Sequence, residues 1–242
     1  MSKGIGDRFF DETKYRREEL KGGYLDWNLK PDSDKKYLNV PQVALPHPDK
    51  SGGIPIWEVV GRRRSVRRFS KEPIQLKDVS QLLWASQGIT FERGGFSFRA
   101  APSAGALYPI ETYVAAHAVK GLEPGIYHFR IQTSGLEKIK GGDFRKKTAA
   151  AALDQEFVST APCVFLWTAV FERSKWKYKQ RAYRYVFLDC GHLAQNLALA
   201  AVAQGLGSCF AAALYDEEAN SLVGVDGENE SSLLMCAVGR PR

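Results

Sequence analysis

Residues 75–87 (QLKDVSQLLWASQ) set Leu76, Val79, Leu82 and Leu83 at helical spacing, with Gly88 closing the pattern. A short helix is expected over 56–61, a polar-then-alanine-rich one over 143–154, and the longest over 183–204. Strands are expected at 112–119, which is β-branched and aromatic, at 163–170 (CVFLWTAV), a continuous apolar run, and at 233–238. The segments 125–130 (GIYHFR) and 135–139 read as two arms of a hairpin. Helices interleave with strands that are not hairpin partners, so a sheet covered by helices is expected.

Residues 1–55 break this pattern. They are polar, rich in Gly, Pro and Asp, and carry scattered aromatics such as Tyr24, Trp27 and Tyr37. They are expected to wrap over a core as an arm, extended around Pro46 and Pro48, with the fold proper occupying 56–242.

Composition narrows the class. A chain of 242 residues with 44% hydrophobic and 25% charged residues can bury a core without metals or staples. Its net charge of +7 favours anionic partners. Cys163, Cys190, Cys209 and Cys236 are widely spread with no metal-ligand spacing, which fits buried thiols in a reducing cytoplasm. The first twenty residues lack the apolar core of a secretion signal. Residues 191–215 contain no Asp, Glu, Lys or Arg and are long enough to span a bilayer. Their polar His192, Gln195, Asn196 and Gln204, and the break at 205–208, are costly in lipid, so a buried helix and then a strand are expected, with no membrane partner. His192 is expected to lie in the core.

Three segments invite chemistry. The first is Arg62-Arg63-Arg64-Ser65-Val66-Arg67-Arg68, which suits a solvated loop, a nucleic-acid patch or a phosphate site. Ser65 adds a donor, Val66 and Phe69 must face a core, and paired guanidinium bonds match phosphate oxygens. Base-stacking aromatics are absent from the run, which disfavours nucleic acid. The second is Pro102-Ser103-Ala104-Gly105-Ala106-Leu107-Tyr108-Pro109, either a tight turn or a backbone that approaches something flat, with Arg99 upstream. The third is 205–213 (GLGSCFAAA), a helix cap followed by backbone able to face a ligand. No metal-ligand cluster, GxSxG elbow or Walker loop occurs.

Together RRSVRRF (63–69), LLWASQGI (82–89), RAAPSAGALYPIE (99–111), 177–209 and VGRP (238–241) resemble the FMN-dependent nitroreductase superfamily, in its SagB-type dehydrogenase branch. The resemblance spans roughly 56–242. It implies an α+β fold with a central mixed sheet flanked by helices, and a homodimer holding FMN in clefts at its interface. By position, Arg63, Arg64, Ser65 and Arg67 would hold the FMN phosphate and ribityl chain, with Arg240 approaching from the C-terminal end. Pro102, Ser103, Ala104 and Gly105 would line the isoalloxazine, Arg99 would place charge beside it, and Ala211, Ala212 and Ala213 would face it with their backbone. Many relatives have glycine where Ala212 stands, and many continue further past the last strand. The resemblance implies hydride transfer through the flavin, with NAD(P)H as donor and a small nitro, quinone or unsaturated acceptor. Some members of the branch instead oxidise azolines in peptides and carry a Lys-Tyr pair similar to Lys177-Tyr178. Those two residues read equally well as packing at a helix entrance, beside Trp176, Tyr183 and Tyr185.

Overall fold

A computed structural model describes residues 4–19, 22 and 24–242, and its apolar runs pair into one large sheet. The first half holds α1 (Ile5–Glu12), β1 (Gln42–Ala44), α2 (Ile56–Arg62), β2 (Ile74–Gln75), α3 (Leu76–Gln87), β3 (Ile89–Arg93), β4 (Phe96–Arg99) and β5 (Ile110–Ala116). Then come β6 (Val119–Lys120), β7 (Gly125–Arg130), β8 (Gly135–Gly141), α4 (Arg145–Ala151), α5 (Glu156–Thr160) and β9 (Cys163–Val170). The chain closes with α6 (Glu172–Tyr178), α7 (Ala182–Ala203), β10 (Gly207–Ala211), α8 (Asp216–Val223) and β11 (Glu230–Gly239).

The sheet order is β1-β8-β7-β5-β9-β11-β10, and every neighbouring pair is antiparallel. The fold is the expected α+β, but the sheet is antiparallel and not mixed. The resemblance implied a mixed sheet, yet β11 inserts between β9 and β10 and runs against both. β5 and β9 are buried along almost their whole length because both faces are covered. On one face Val114, Phe165 and Trp167 meet Leu82, Leu83, Leu193 and Leu197 of α3 and α7. On the other, Tyr113, Val164 and Leu166 meet Ala149, Phe157, Ala219 and Leu222 of α4, α5 and α8.

The arm takes part in this sheet: Gln42–Ala44 pairs with β8 as its edge strand. After α3 the chain forms a hairpin, β3–β4, turned at Gly94 and Gly95, whose φ values of 57° and 78° suit a primed two-residue turn. Val186, Cys190, Leu193, Leu197 and Ala201 form the buried stripe of α7. His192 lies on its exposed side, against expectation, as do Phe187 and Leu188, which are 56% and 58% exposed. The helix ends at Gly205, φ +69°, where Leu206 N–H donates to Ala201 O at 2.8 Å, a Schellman closure. By length and composition α6–α7 could cross a bilayer, but α7 packs one face on α3 and the sheet.

Candidate functional site

The arginine run lies along β10 as a short extension of the sheet. Val66 N–H donates to Ser208 O at 2.9 Å, and Ser65 bridges Ser208 in parallel register. Gly207 permits this approach, since a Cβ there would stand 2.7 Å from that of Val66. On the other side Ser70 N–H donates to Arg240 O and Arg242 N–H donates to Arg68 O, at 2.9 and 3.1 Å. Val66 and Phe69 pack into the core, whereas Ser65 and Arg67, on either side of Val66, are exposed. Burial pushes the Cys209 thiol up, and the charge of Arg67 opposes that rise, which places Arg67 close to β10. Arg64 turns back instead, donating to Gly61 O at 3.1 Å and Arg63 O at 2.7 Å at the end of α2. Arg240 faces Glu72 at 3.8 Å.

The loop before β5 is a second centre. Gly105, Ala106 and Tyr108 all have left-handed φ, of 65°, 52° and 47°, and two of them are not glycine. What holds them is Asp189 of α7, only 3% exposed. Ser103 Oγ donates to Asp189 Oδ2 at 2.6 Å, Ala104 N–H donates to Oδ1 at 3.2 Å, and Tyr108 N–H donates to Ser103 Oγ at 2.9 Å. Burial raises the Asp189 pKa, and the bonds from Ser103 and Ala104 work against that rise. Sequence reasoning missed Asp189. Its signal was a lone acid in an otherwise apolar helix.

Lys177 and Tyr178 converge on this loop from the last turn of α6. A Cβ on Gly105 would lie 2.6 Å from the Tyr178 hydroxyl and 3.0 Å from Lys177 Nζ. Tyr178 also packs edge-on against Tyr185, at 4.8 Å between centroids, so the packing and the chemical readings hold together. Arg99 is buried, with its guanidinium over the Tyr108 ring at 4.3 Å and its backbone N–H donating to the Tyr108 hydroxyl at 3.1 Å. Burial pushes its pKa down to about 10, and its Nη1 has no hydrogen-bond partner. A buried, unpartnered guanidinium nitrogen beside a glycine cradle fits an anionic or carbonyl-bearing planar group.

These two centres are at opposite ends of the sheet. Ser208 aligns through Val238 and Cys163 with Ala116, the last residue of β5, whereas the loop enters β5 at Ile110. The rows are therefore separated by roughly 20 Å along the strands, at about 3.3 Å per residue. Among the described residues no hydrogen bond or ion pair joins them. Ala211 is buried, and Ala212 and Ala213 follow it exposed at the end of β10. A groove of about 1070 Å³ lies elsewhere, between residues 46–56, α3 and α7, and none of the residues expected from the sequence lines it.

Comparison with known proteins matches this architecture. The family model of the nitroreductase family covers residues 60–240. A Methanocaldococcus jannaschii protein named "Putative nitroreductase MJ1384" is 38% identical over 199 residues, 82% of this chain and 96% of that protein. The "Trifolitoxin-processing protein TfxB" of Rhizobium leguminosarum is 31% identical over 147 residues, 59% of this chain and 39% of that one. The crystal structure of a nitroreductase-like protein from Anabaena variabilis superposes with a TM-score of 0.79 at 25% identity. That alignment takes in 98% of this chain, which spans about half (47%) of the Anabaena protein. An NADPH:FMN oxidoreductase from Vibrio harveyi shares the fold at 19% identity and a TM-score of 0.55, over 77% of this chain and 68% of its own. With the matched segment running from α2 to the last strand, and so through both centres, this chain belongs to the nitroreductase family.

Proposed function

We propose that this protein is an FMN-dependent oxidoreductase that works as a homodimer, carrying hydride from NAD(P)H to a small nitro, quinone or other unsaturated acceptor. The observation that carries this reading is the convergence of Lys177 and Tyr178 on Gly105, in a loop whose Tyr108 packs on the buried Arg99, with its Nη1 left without a hydrogen bond. When bound, FMN supplies the hydride chemistry, while the protein binds, orients and tunes it.

Each group of residues has a distinct part. Arg63, Ser65 and Arg67 hold the phosphate along β10, where paired charge-assisted bonds are strongest. Arg64 and Arg240 shape that edge through their own contacts. Pro102, Ser103, Ala104 and Gly105 bear on the flat ring, and Ala211, Ala212 and Ala213 offer backbone groups at its edge. Arg99 favours added negative charge on the ring. Lys177 and Tyr178 stand where an acceptor would approach, with the phenolic O–H and the ammonium able to hold or pass a proton.

The separation of the two centres supports the dimer. One chain cannot easily offer its basic edge and its Gly105 loop to one cofactor, whereas a second copy can complete the site. Apolar faces suited to that contact are open on α2, where Trp57 is 82% exposed beside Ile56 and Val60, and on α7 at Phe187 and Leu188. The four buried free thiols suit the cytoplasm.

A second reading is an azoline dehydrogenase acting on a peptide, with oxygen as electron acceptor. The Lys177–Tyr178 convergence and the similarity to a trifolitoxin-processing protein favour it. NAD(P)H consumption with and without a nitro compound separates the two. The first test is the absorption spectrum of purified protein and the identity of whatever heat releases. Near one FMN per chain supports the proposal. A colourless protein that takes up no added FMN overturns it and turns attention to nucleic acid for the arginine run.

A further inference from the structure

We propose that Arg173 positions the Lys177–Tyr178 pair over Gly105, acting as the joint between α6, the loop before β5 and the arm. The proposal rests on the reading of that pair as part of the flavin site.

Arg173 is buried in the first turn of α6 and touches three segments at once. Its Nε donates to Asp32 O of the arm at 2.8 Å. Its Nη1 donates to Tyr108 O at 3.3 Å and to Glu111 Oε1 at 2.5 Å. A guanidinium fork can make these bonds together, whereas a lysine ammonium would meet them with a single point charge. Lys177 follows Arg173 by one turn on the same helix face, so freeing Arg173 lets α6 turn and carries Lys177 away from the loop.

Arg173 shares the holding of α6 with packing contacts: Ser174 is fully buried, and the ring of Phe171, at the N-terminal cap, meets Tyr183 at 5.1 Å. The helix has seven residues, no side-chain bond at its N-terminal cap, and a C-terminal cap at Lys179 with φ 50° and ψ −135°. Trp176 ties it to the arm, its Nε1–H donating to Asp26 O at 3.0 Å and its ring meeting Trp27 at 5.4 Å. Tyr108, whose carbonyl Arg173 also bonds, is a left-handed residue of the Gly105 loop, two positions before β5. Arg173 thus touches both the helix that carries the pair and the loop the pair faces.

The anchor beneath Arg173 is a buried hydrogen-bonded row. Glu111 Oε2 meets His128 Nε2 at 3.0 Å, and His128 Nδ1 meets Glu137 Oε2 at 2.9 Å. Glu137 then accepts from Tyr37 N–H of the arm at 3.1 Å. Burial would raise Glu111, but His128 and Arg173 outweigh it and hold that carboxyl below its ordinary range. The row fastens the arm at two points, Asp32 and Tyr37, and makes it part of the site's scaffold.

The test is a redox titration of FMN-loaded protein, with flavin content and thermal melting recorded for each variant. Lys177→Met should lower the flavin potential, because a cation near the ring favours the reduced form. The expected size is about tenfold in the redox equilibrium, or about 30 mV for a two-electron couple. Arg173→Lys keeps the charge but not the fork, and should show most of the same displacement. Arg173→Met should show all of it, and Arg173→Met with Lys177→Met no more than Lys177→Met alone. A wild-type potential in Arg173→Lys, or additive displacements in the double variant, would overturn the positioning role while leaving the flavin-site reading intact. No displacement in Lys177→Met would overturn both. Should Arg173→Met fail to fold, Arg173→Lys and Glu111→Gln carry the same comparison.

Discussion

Adding one carbon at Gly105 tests the site more sharply than removing a side chain. Gly105 has φ +65°, so Gly105→Ala forces an L-residue into left-handed backbone at a cost of about 1–2 kcal/mol. For a chain of this size, that lowers the melting temperature by roughly 2–8 °C. The new Cβ would also stand 2.6 Å from the Tyr178 hydroxyl and 3.0 Å from Lys177 Nζ, so both groups must move. A displacement of about 1 Å at a reacting group is worth on the order of a hundredfold in rate. Gly224 supplies the matched control, with φ +78° and nothing within 4 Å of an added Cβ. Gly224→Ala should therefore lose similar stability and no activity, whereas Gly105→Ala should lose stability and turnover together. The assays are thermal melting and steady-state acceptor reduction at full flavin occupancy. Equal turnover in the two variants would refute the placement of Lys177 and Tyr178 at the reacting centre.

Other expectations rest on separate parts of the molecule. Arg63→Ala with Arg67→Ala should weaken FMN binding by roughly 10²- to 10⁴-fold, at about 1.5–3 kcal/mol per charged bond, with the fold kept; full flavin content after purification would contradict the phosphate site. Leu188→Glu, on the open face of α7, should shift the protein to a monomer by light scattering and lose flavin with it; a flavin-replete monomer would remove the need for a second copy. His117 gives a pH dependence, since burial holds its imidazole down at about 4 while an unfolded chain would titrate near 6.5. The unfolded state then takes up the proton first, so stability falls as pH drops from 6.5 toward 4, by about 3 kcal/mol at most. His117→Gln should flatten denaturant midpoints across that window, and an unchanged slope would assign the acid loss elsewhere.

Much of this molecule is legible in the chain because burial on both faces leaves a plain mark. The run 163–170 is continuous and apolar, and it forms β9 at the centre of the sheet. The long apolar pattern after residue 182 forms α7 almost to the residue. Strand order was not legible, because the insertion of β11 between β9 and β10 depends on pairings far apart in the chain. β1 was hidden by its three residues and its polar setting, since an edge strand needs no apolar alternation. The β3–β4 hairpin could have been found from the Gly-Gly pair between ITFER and FSFR. In the site, PSAGALYP and the arginine run stand out by composition. Asp189 and Arg173 do not, because each acts through backbone and loops that only the fold brings to it.

The threading of the arginine run between β10 and the last residues bears on how the protein matures. Ser65 meets Ser208, and Phe69 meets Pro241, so the basic edge joins a stretch made early with one made more than 140 residues later. Such contacts close large loops and form late in folding. During synthesis the N-terminal part can collapse while residues 207–242 are still within the ribosome, leaving the arginines without their backbone neighbours. Competence to take up an anionic cofactor is thus deferred until the sheet has its final strand. A chain interrupted before β11 would expose β9 as an unpaired apolar edge, which is a mark for aggregation or degradation and not a half-working enzyme.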